Sequence, residues 1–229
     1  MVIDKIETNY QNKTIRMNIA DNNLVFDNNA LEYDQWFDKH KTVYQSEILA
    51  VQQAIPQHKE GIEIGIGTGR FAEPLNIKVG IEPSENMAMV AEQRGITVYR
   101  AFAENLPIEN GSFDFALMVT TVCFLTDIPK AFSEVYRILK PQGEIILAII
   151  DKNSTLGRKY EMEKSTNKFY KDANFRTTQE ITGLLKQSGF GNFQYWQTLT
   201  NTELAGVQQP QKGYGQGSFV VIKAIKFNN

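Results

Sequence analysis

The segment GIEIGIGTGRF, residues 61–71, is an apolar run that breaks into glycine at positions 65, 67 and 69. Glycine inside a regular element costs about 0.5–1 kcal/mol relative to alanine. Three at alternate positions therefore mark a place where the backbone turns sharply and something approaches it closely. Residues 61–66 read as a buried strand and residues 70–76 as the short helix that follows. At such a junction backbone N–H groups point outward and the helix dipole favours anions. The generic expectation is a nucleotide-like ligand at the carboxyl edge of the first strand. GTGRFA also satisfies the Gly-x-Gly-x-x-Ala dinucleotide pattern, a weak signal on its own that a structural tight turn would also meet.

The rest of the chain repeats this alternation. KVGIE reads as a second strand, and SENMAMVAEQRG as a helix with Ser84 as N-cap and Gly95 as terminator. ITVYRAF and FDFALMV follow as strands, then a helix that ends before Pro141 and a fifth strand, EIILAII. Thr177 opens another helix with Glu180 as its capping-box partner, and FQYWQTL and SFVVIKAIK alternate as a terminal antiparallel pair. Apolar strands alternating with helices predict an α/β fold: a doubly wound, mostly parallel, seven-stranded sheet with helices on both faces. Residues 1–29, polar and rich in asparagine, read as an N-terminal arm or a hairpin. Residues 30–229 read as one domain, with cap elements near 31–55, an amphipathic stretch of one or two helices, and near 152–176.

Composition narrows the classes. Hydrophobic residues make up 42% of the 229, enough to fill a core, and the formal charge of −2 gives no global field for nucleic acid or a membrane surface. Cys123 is the single cysteine, which excludes an internal disulfide and suits a reducing cytoplasm. No apolar run nears the roughly 18 residues of a membrane span. His40 and His58 lack metal-ligand spacing, so no metal is expected.

Several ordered motifs carry a resemblance. EIGIGTG, GIEPSENMAMVA, AENLPIENGSFDFALM, EVYRILKPQGEIIL and, upstream, YDQWF are together similar to the class I S-adenosylmethionine-dependent methyltransferases, particularly the broad family that methylates small molecules. The resemblance covers about residues 31–226 and implies a Rossmann-like methyltransferase fold. It also implies S-adenosylmethionine as cofactor, S-adenosylhomocysteine as product, and a small-molecule methyl acceptor. No nucleic-acid or membrane partner is expected, and oligomeric state is left open. Carried over by position, Glu63 would hold the ammonium end of the cofactor. Gly65, Gly67 and Gly69 would admit its amino-acid and ribose portion. Glu82, 19 positions after Glu63, would take both ribose hydroxyls, with Ser84 beside it. Met87 would cover an adenine face, Ala103 and Glu104 would meet the adenine edge, Thr120 would line the methionine portion, and Tyr33 would lie over the cofactor.

Two departures stand out. Phe102 sits where the family often has an adenine-binding aspartate, and Cys123 and Phe124 replace a histidine pair after the fourth strand. The sequence identifies no catalytic base; Asp151 lies at the right sheet edge but reads more simply as a helix-start or loop carboxylate. No Asn/Asp-Pro-Pro-Tyr tetrad is present, which argues against exocyclic amine methylation of DNA bases. Residues 152–176 hold seven basic against three acidic side chains, an excess that suits either an anionic substrate or a solvated helix face. Two other classes stay open from sequence, a nicotinamide-dependent oxidoreductase and a non-catalytic S-adenosylmethionine-binding module.

Overall fold

The structure is a computed structural model that describes residues 24–201 and 206–227. The expected N-terminal arm or hairpin therefore falls largely outside the described residues; at its end, residues 24–28 are helical. The amphipathic stretch forms two helices, α1 (Ala30–Lys39) and α2 (Lys41–Gln52), which break at His40. The alternating region then runs β1 (Gly61–Ile64), β2 (Val79–Ile81), α3 (Glu85–Gln93), β3 (Thr97–Tyr99), β4 (Phe113–Val119), α4 (Ile128–Ile138) and β5 (Leu139–Ile150). The last third adds α5 (Thr155–Met162), α6 (Thr178–Gln187), β6 (Phe190–Thr198), β7 (Gln211–Lys212) and β8 (Phe219–Lys226).

One sheet holds all the strands in the order β3-β2-β1-β4-β5-β8-β6-β7. The first five are parallel, while β8, β6 and β7 are antiparallel to their neighbours. The two-residue β7, between the two strands of the expected terminal pair, adds an eighth strand to the expected seven. Along β5 the pleat sends Ile145 and Leu147 to one face and Ile146 and Ala148 to the other. The first pair joins a core with Phe132 and Val135 of α4 and Ile181 and Leu185 of α6. The second joins Phe37 of α1, Ala50 and Val51 of α2 and Ala88 and Ala91 of α3. The chain leaves β1 toward β2 on one side and returns through β4 on the other, so the strand order reverses beside β1 at the carboxyl edge. Open α/β sheets bind ligands at that reversal.

The caps follow the sequence. Ser84 accepts from the Met87 N–H to start α3, and Thr177 and Glu180 form the complete capping box of α6. The expected helix at residues 70–76 does not form and is a run of turns. Pro74 is the reason: it has no N–H for the Arg70 carbonyl, which an α-helix would bond at that step. The Tyr44 hydroxyl donates to that carbonyl instead. The glycine loop is therefore followed by a turn buttressed from α2, and no regular helix dipole stands behind it.

Replacing Tyr44 with Phe keeps its ring on Phe37 and Phe71 but leaves the Arg70 carbonyl without its donor. Tyr44→Phe should lower unfolding stability by about 1 kcal/mol, a fall of roughly 2–4 °C in Tm for a chain of this size. Urea and thermal unfolding of the variant check this; an unchanged midpoint would remove the buttress from the account of the loop.

Candidate active site

At the strand-order reversal the loops after β1, β2, β3 and β4 enclose a cavity of about 360 Å³. Gly65 and Gly67 form its floor with φ of +70° and +56°, a region that L side chains avoid. At Gly65 space is short as well, since a Cβ would stand 2.4 Å from the Thr121 side chain, whereas one at Gly67 would only reach ordinary contact with Tyr33 at 3.7 Å. The loop is a cradle because those atoms are missing.

Glu82, at the end of β2, lies across this floor. Its Oε2 accepts the Gly67 N–H at 2.8 Å and its Oε1 accepts the Ser84 N–H at 3.0 Å. Each oxygen spends one of its lone pairs on the backbone and keeps another, and the residue lines the cavity. Burial pushes its carboxyl up to about 7, against the pull of the Ser84 and Gly67 N–H groups and with a push from Asp27. Asp27 fixes the same corner from above. Its Oδ1 accepts from the Ser84 hydroxyl at 2.8 Å and the Asn86 N–H at 2.9 Å.

Of the residues expected from the sequence, Tyr33, Gly65, Gly67, Glu82, Met87, Ala103, Glu104 and Thr120 line the cavity together. Glu63, Gly69 and Ser84 stand behind its wall. Glu63 is buried on β1 with Oε2 unpartnered among the described residues. Burial lifts its carboxyl well above the usual range, opposed by the Ala72 N–H and reinforced by Glu82. Gly69 packs against α3: a Cβ there would meet Ile96 at 2.7 Å and Ala91 at 3.2 Å. Ser84 works through Glu82. Glu104 also accepts from the N–H and hydroxyl of Thr126, both at 3.1 Å. Asp151 is spent on structure, accepting from the Thr178 N–H and hydroxyl and the Asn153 N–H.

A second cavity of about 390 Å³ adjoins the first and shares Tyr33, Thr120 and Tyr170 with it. Trp36, Phe37, Phe71, Tyr160 and Phe169 give it aromatic walls, and Glu47 on α2 lines it with 7% exposure. Burial alone lifts the Glu47 carboxyl to about 8. Thr120, at the seam, has φ +49°, uncommon for a β-branched residue and characteristic of functional sites.

Glu47, Phe26 and Tyr170 lie outside the residues expected from the sequence. Glu47 does carry a signal: Val43, Ala50, Val51 and Ala54 stand at helical steps of three, four and seven from it, so it sits on the apolar stripe of α2. Phe26 packs on Tyr33 and Phe124 from a stretch whose composition is polar. Cys123 is buried, and its thiol is pushed up to about 12 by that burial. Among the described residues no cluster of His, Cys, Asp and Glu is suited to a metal, and no helix is long and apolar enough to cross a membrane.

Comparison with known proteins gives this geometry a family. Residues 62–147 match the family described as a methyltransferase domain. A solved structure from Thermotoga maritima, described as a SAM-dependent methyltransferase and possible histamine N-methyltransferase, is 48% identical with a TM-score of 0.86, covering 88% of this chain and 98% of that one. An uncharacterized protein of Methanocaldococcus jannaschii is 46% identical over 88% of this chain and 98% of its own length. A demethylmenaquinone methyltransferase of Staphylococcus epidermidis is 24% identical over 85% of this chain and 92% of its own. The chain belongs to the S-adenosylmethionine-dependent methyltransferases, and is an enzyme of that class. The nicotinamide-dependent and non-catalytic alternatives fall away with that membership.

Three buried carboxyls with raised pKa give the stability a definite pH dependence. Folding raises Glu82 to about 7 and Glu47 to about 8 from an ordinary 4.5, and lifts Glu63 well above that ordinary value. Their contribution is present in full below pH ~4.5 and lost as pH climbs through 7 and 8. Asp34, Asp114, Glu134 and Glu180, held low, act only below that window. The urea midpoint of the unliganded protein should fall from pH 5 to pH 8.5, and less steeply in Glu47→Gln. A level or rising midpoint would mean that these carboxyls ionise freely.

Proposed function

We propose that this chain binds S-adenosylmethionine in the cavity beside the glycine loop and transfers its methyl group to a nitrogen or oxygen of a small acceptor in the adjoining aromatic cavity. The observation that carries the reading is Glu82. Two loop N–H groups fix its carboxylate in the cavity wall, and each oxygen keeps a free lone pair. Two acceptors held a carboxylate's width apart match the two hydroxyls of a ribose diol. The cradle fits the rest of the cofactor: Met87 and Ala103 are small-faced or flexible apolar surfaces for an adenine ring, and the orphaned Glu63 oxygen is an acceptor for the ammonium end or a water it orders.

When bound, S-adenosylmethionine supplies an activated methyl group on a sulfonium. The protein's own work is then alignment, which can supply on the order of 7–11 kcal/mol. Tyr33 closes over the site because its neighbour Asp34 is clamped by Arg70 at 2.6 Å and Arg94 at 3.0 Å. Thr120 and Tyr170 hold the boundary between the two cavities. Residues 30–229 act as one catalytic domain, with α1, α2 and the α5 region forming its cap; the protein works in the cytoplasm without nucleic acid.

S-adenosylhomocysteine should raise Tm, by RT ln(1 + [L]/Kd) in free energy, while nicotinamide dinucleotides should not. In Glu82→Gln the amide nitrogen must face the N–H of Gly67 or Ser84, donor against donor. Affinity for S-adenosylhomocysteine should fall about 10- to 100-fold, or roughly 1.4–2.8 kcal/mol. The unliganded variant should lose about 1 kcal/mol or less, because removing a buried charge offsets the lost hydrogen bond. Calorimetry showing unchanged affinity in a destabilised variant would make Glu82 purely structural.

A further inference from the structure

The aromatic cavity holds chemistry that a bound nucleoside does not use. Among the described residues the Glu47 carboxylate has no hydrogen-bond or ion-pair partner. Its neighbour Ser46 is already committed, donating to the Thr42 carbonyl at 2.6 Å and accepting from the Gln208 N–H at 2.9 Å. The Tyr33, Tyr160 and Tyr170 hydroxyls all feel the Glu47 charge and likewise lack partners among the described residues. A buried carboxylate facing apolar rings is unfavourable until a cation answers it. Aromatic faces of this kind also attract cations.

We infer that Glu47 is the anchor of the acceptor subsite, gripping a protonated primary or secondary amine by its ammonium and removing one proton before methylation. The inference rests on the methyl-transfer reading above and narrows its acceptor to an amine with a compact apolar or aromatic body. The proton passes from the ammonium nitrogen to a Glu47 oxygen; the nitrogen keeps the electron pair of the broken N–H bond, and the carboxylate becomes a neutral acid. That acid gives the proton to solvent once the product leaves. Burial makes the step accessible. An ordinary carboxyl lies about six pH units below an alkylammonium of pKa ~10.4; burial lifts Glu47 to about 8 before the ammonium arrives and so narrows that gap. A neutral alcohol would leave the carboxylate unanswered, and an anionic acceptor would be repelled.

Binding separates these classes without any turnover. We would use 2-phenylethylamine, 2-phenylethanol and phenylacetate, one skeleton bearing a cation, a neutral group and an anion, titrated into the full chain with and without S-adenosylhomocysteine. The amine should bind at least tenfold more tightly than the alcohol, and phenylacetate more weakly than either. Glu47→Gln should erase the amine's advantage while leaving alcohol and S-adenosylhomocysteine binding unchanged; Glu47→Asp should keep part of it. Amine affinity should rise with pH through 8 as the carboxylate ionises, and this profile should vanish in Glu47→Gln. The other titratable groups on the cavity wall are Tyr33 and His40 of α1, Lys159 and Tyr160 of α5, and Tyr170, so the profile must survive His40→Gln. Equal amine and alcohol binding, or an amine preference that persists in Glu47→Gln, would overturn the inference. Failure of S-adenosylhomocysteine to bind would instead reject the cofactor reading, and the cofactor-free titrations would still decide the role of Glu47.

Discussion

Three carboxyl groups, Glu47, Glu63 and Glu82, are buried around a single ring, that of Tyr33, whose phenol is held protonated by burial first and then by all three charges. Ionised carboxylates away from water are expensive unless paired and hydrogen-bonded. The protein answers them unequally. Glu82 has two backbone donors, Glu63 has the Ala72 N–H, and Glu47 has no partner among the described residues. What remains is a cost of ionisation inside an aromatic enclosure, which lifts Glu82 to about 7 and Glu47 to about 8. Both the sulfonium cofactor and an ammonium acceptor are cations, so each would relieve it. The two cations also repel one another. A bound sulfonium would therefore favour passage of the ammonium proton to Glu47, the group proposed above to receive it.

The rigidity behind this arrangement comes from ion pairs and strapping contacts. Asp34 receives Arg70 from the turn after the glycine loop and Arg94 from the end of α3. One carboxylate thus ties α1 to the turn after the glycine loop and to the end of α3, beside the cavity at the strand-order reversal. These side chains are mostly buried, with the arginines at 16% and Asp34 at 15% exposure, so solvent screening is weak and bidentate geometry is retained. Asp27 performs a parallel task at the other corner, tying the segment before α1 to Ser84 and Asn86. Phe26, Tyr33 and Phe169 then meet as a cluster of rings over the site. The cap is joined to the floor through the same residues that orient Glu82.

Much of this was legible in the chain. Alternating apolar runs determine the parallel sheet, because each face needs its own stripe; Ser84 and Thr177 announce their helices by chemistry that acts within three residues. Glycines 65 and 67 and Glu82 are readable for the same reason: a positive φ and a strand-end carboxylate are local requirements. The helix expected at residues 70–76 fails on a detail that local periodicity hides, since Pro74 withdraws an N–H and a tyrosine from α2 replaces it. Glu47 is harder still. Its place on the apolar stripe of α2 marks it as buried, but the aromatic cavity that it lines is completed by Tyr160, Phe169 and Tyr170 from a distant part of the chain. Phe26 and Tyr170 depend on long-range closure in the same way.

The seam between the cavities shows why a strained residue is worth keeping. Thr120 follows the last residue of β4 with φ +49°, a conformation that costs a β-branched residue on the order of 1–3 kcal/mol. It is held there from both sides: its N–H donates to the Ala148 carbonyl at 2.8 Å, and its carbonyl accepts from the Cys123 thiol at 3.1 Å. Those bonds turn the chain out of the sheet, so that one residue borders both cavities. A relaxed extended residue would instead continue β4 past its neighbours and carry the Thr121 side chain away from Gly65, which it now crowds. Strain at one backbone position therefore sets where one cavity stops and the other begins, and under the proposed reading in-line methyl transfer would take its geometry from that boundary.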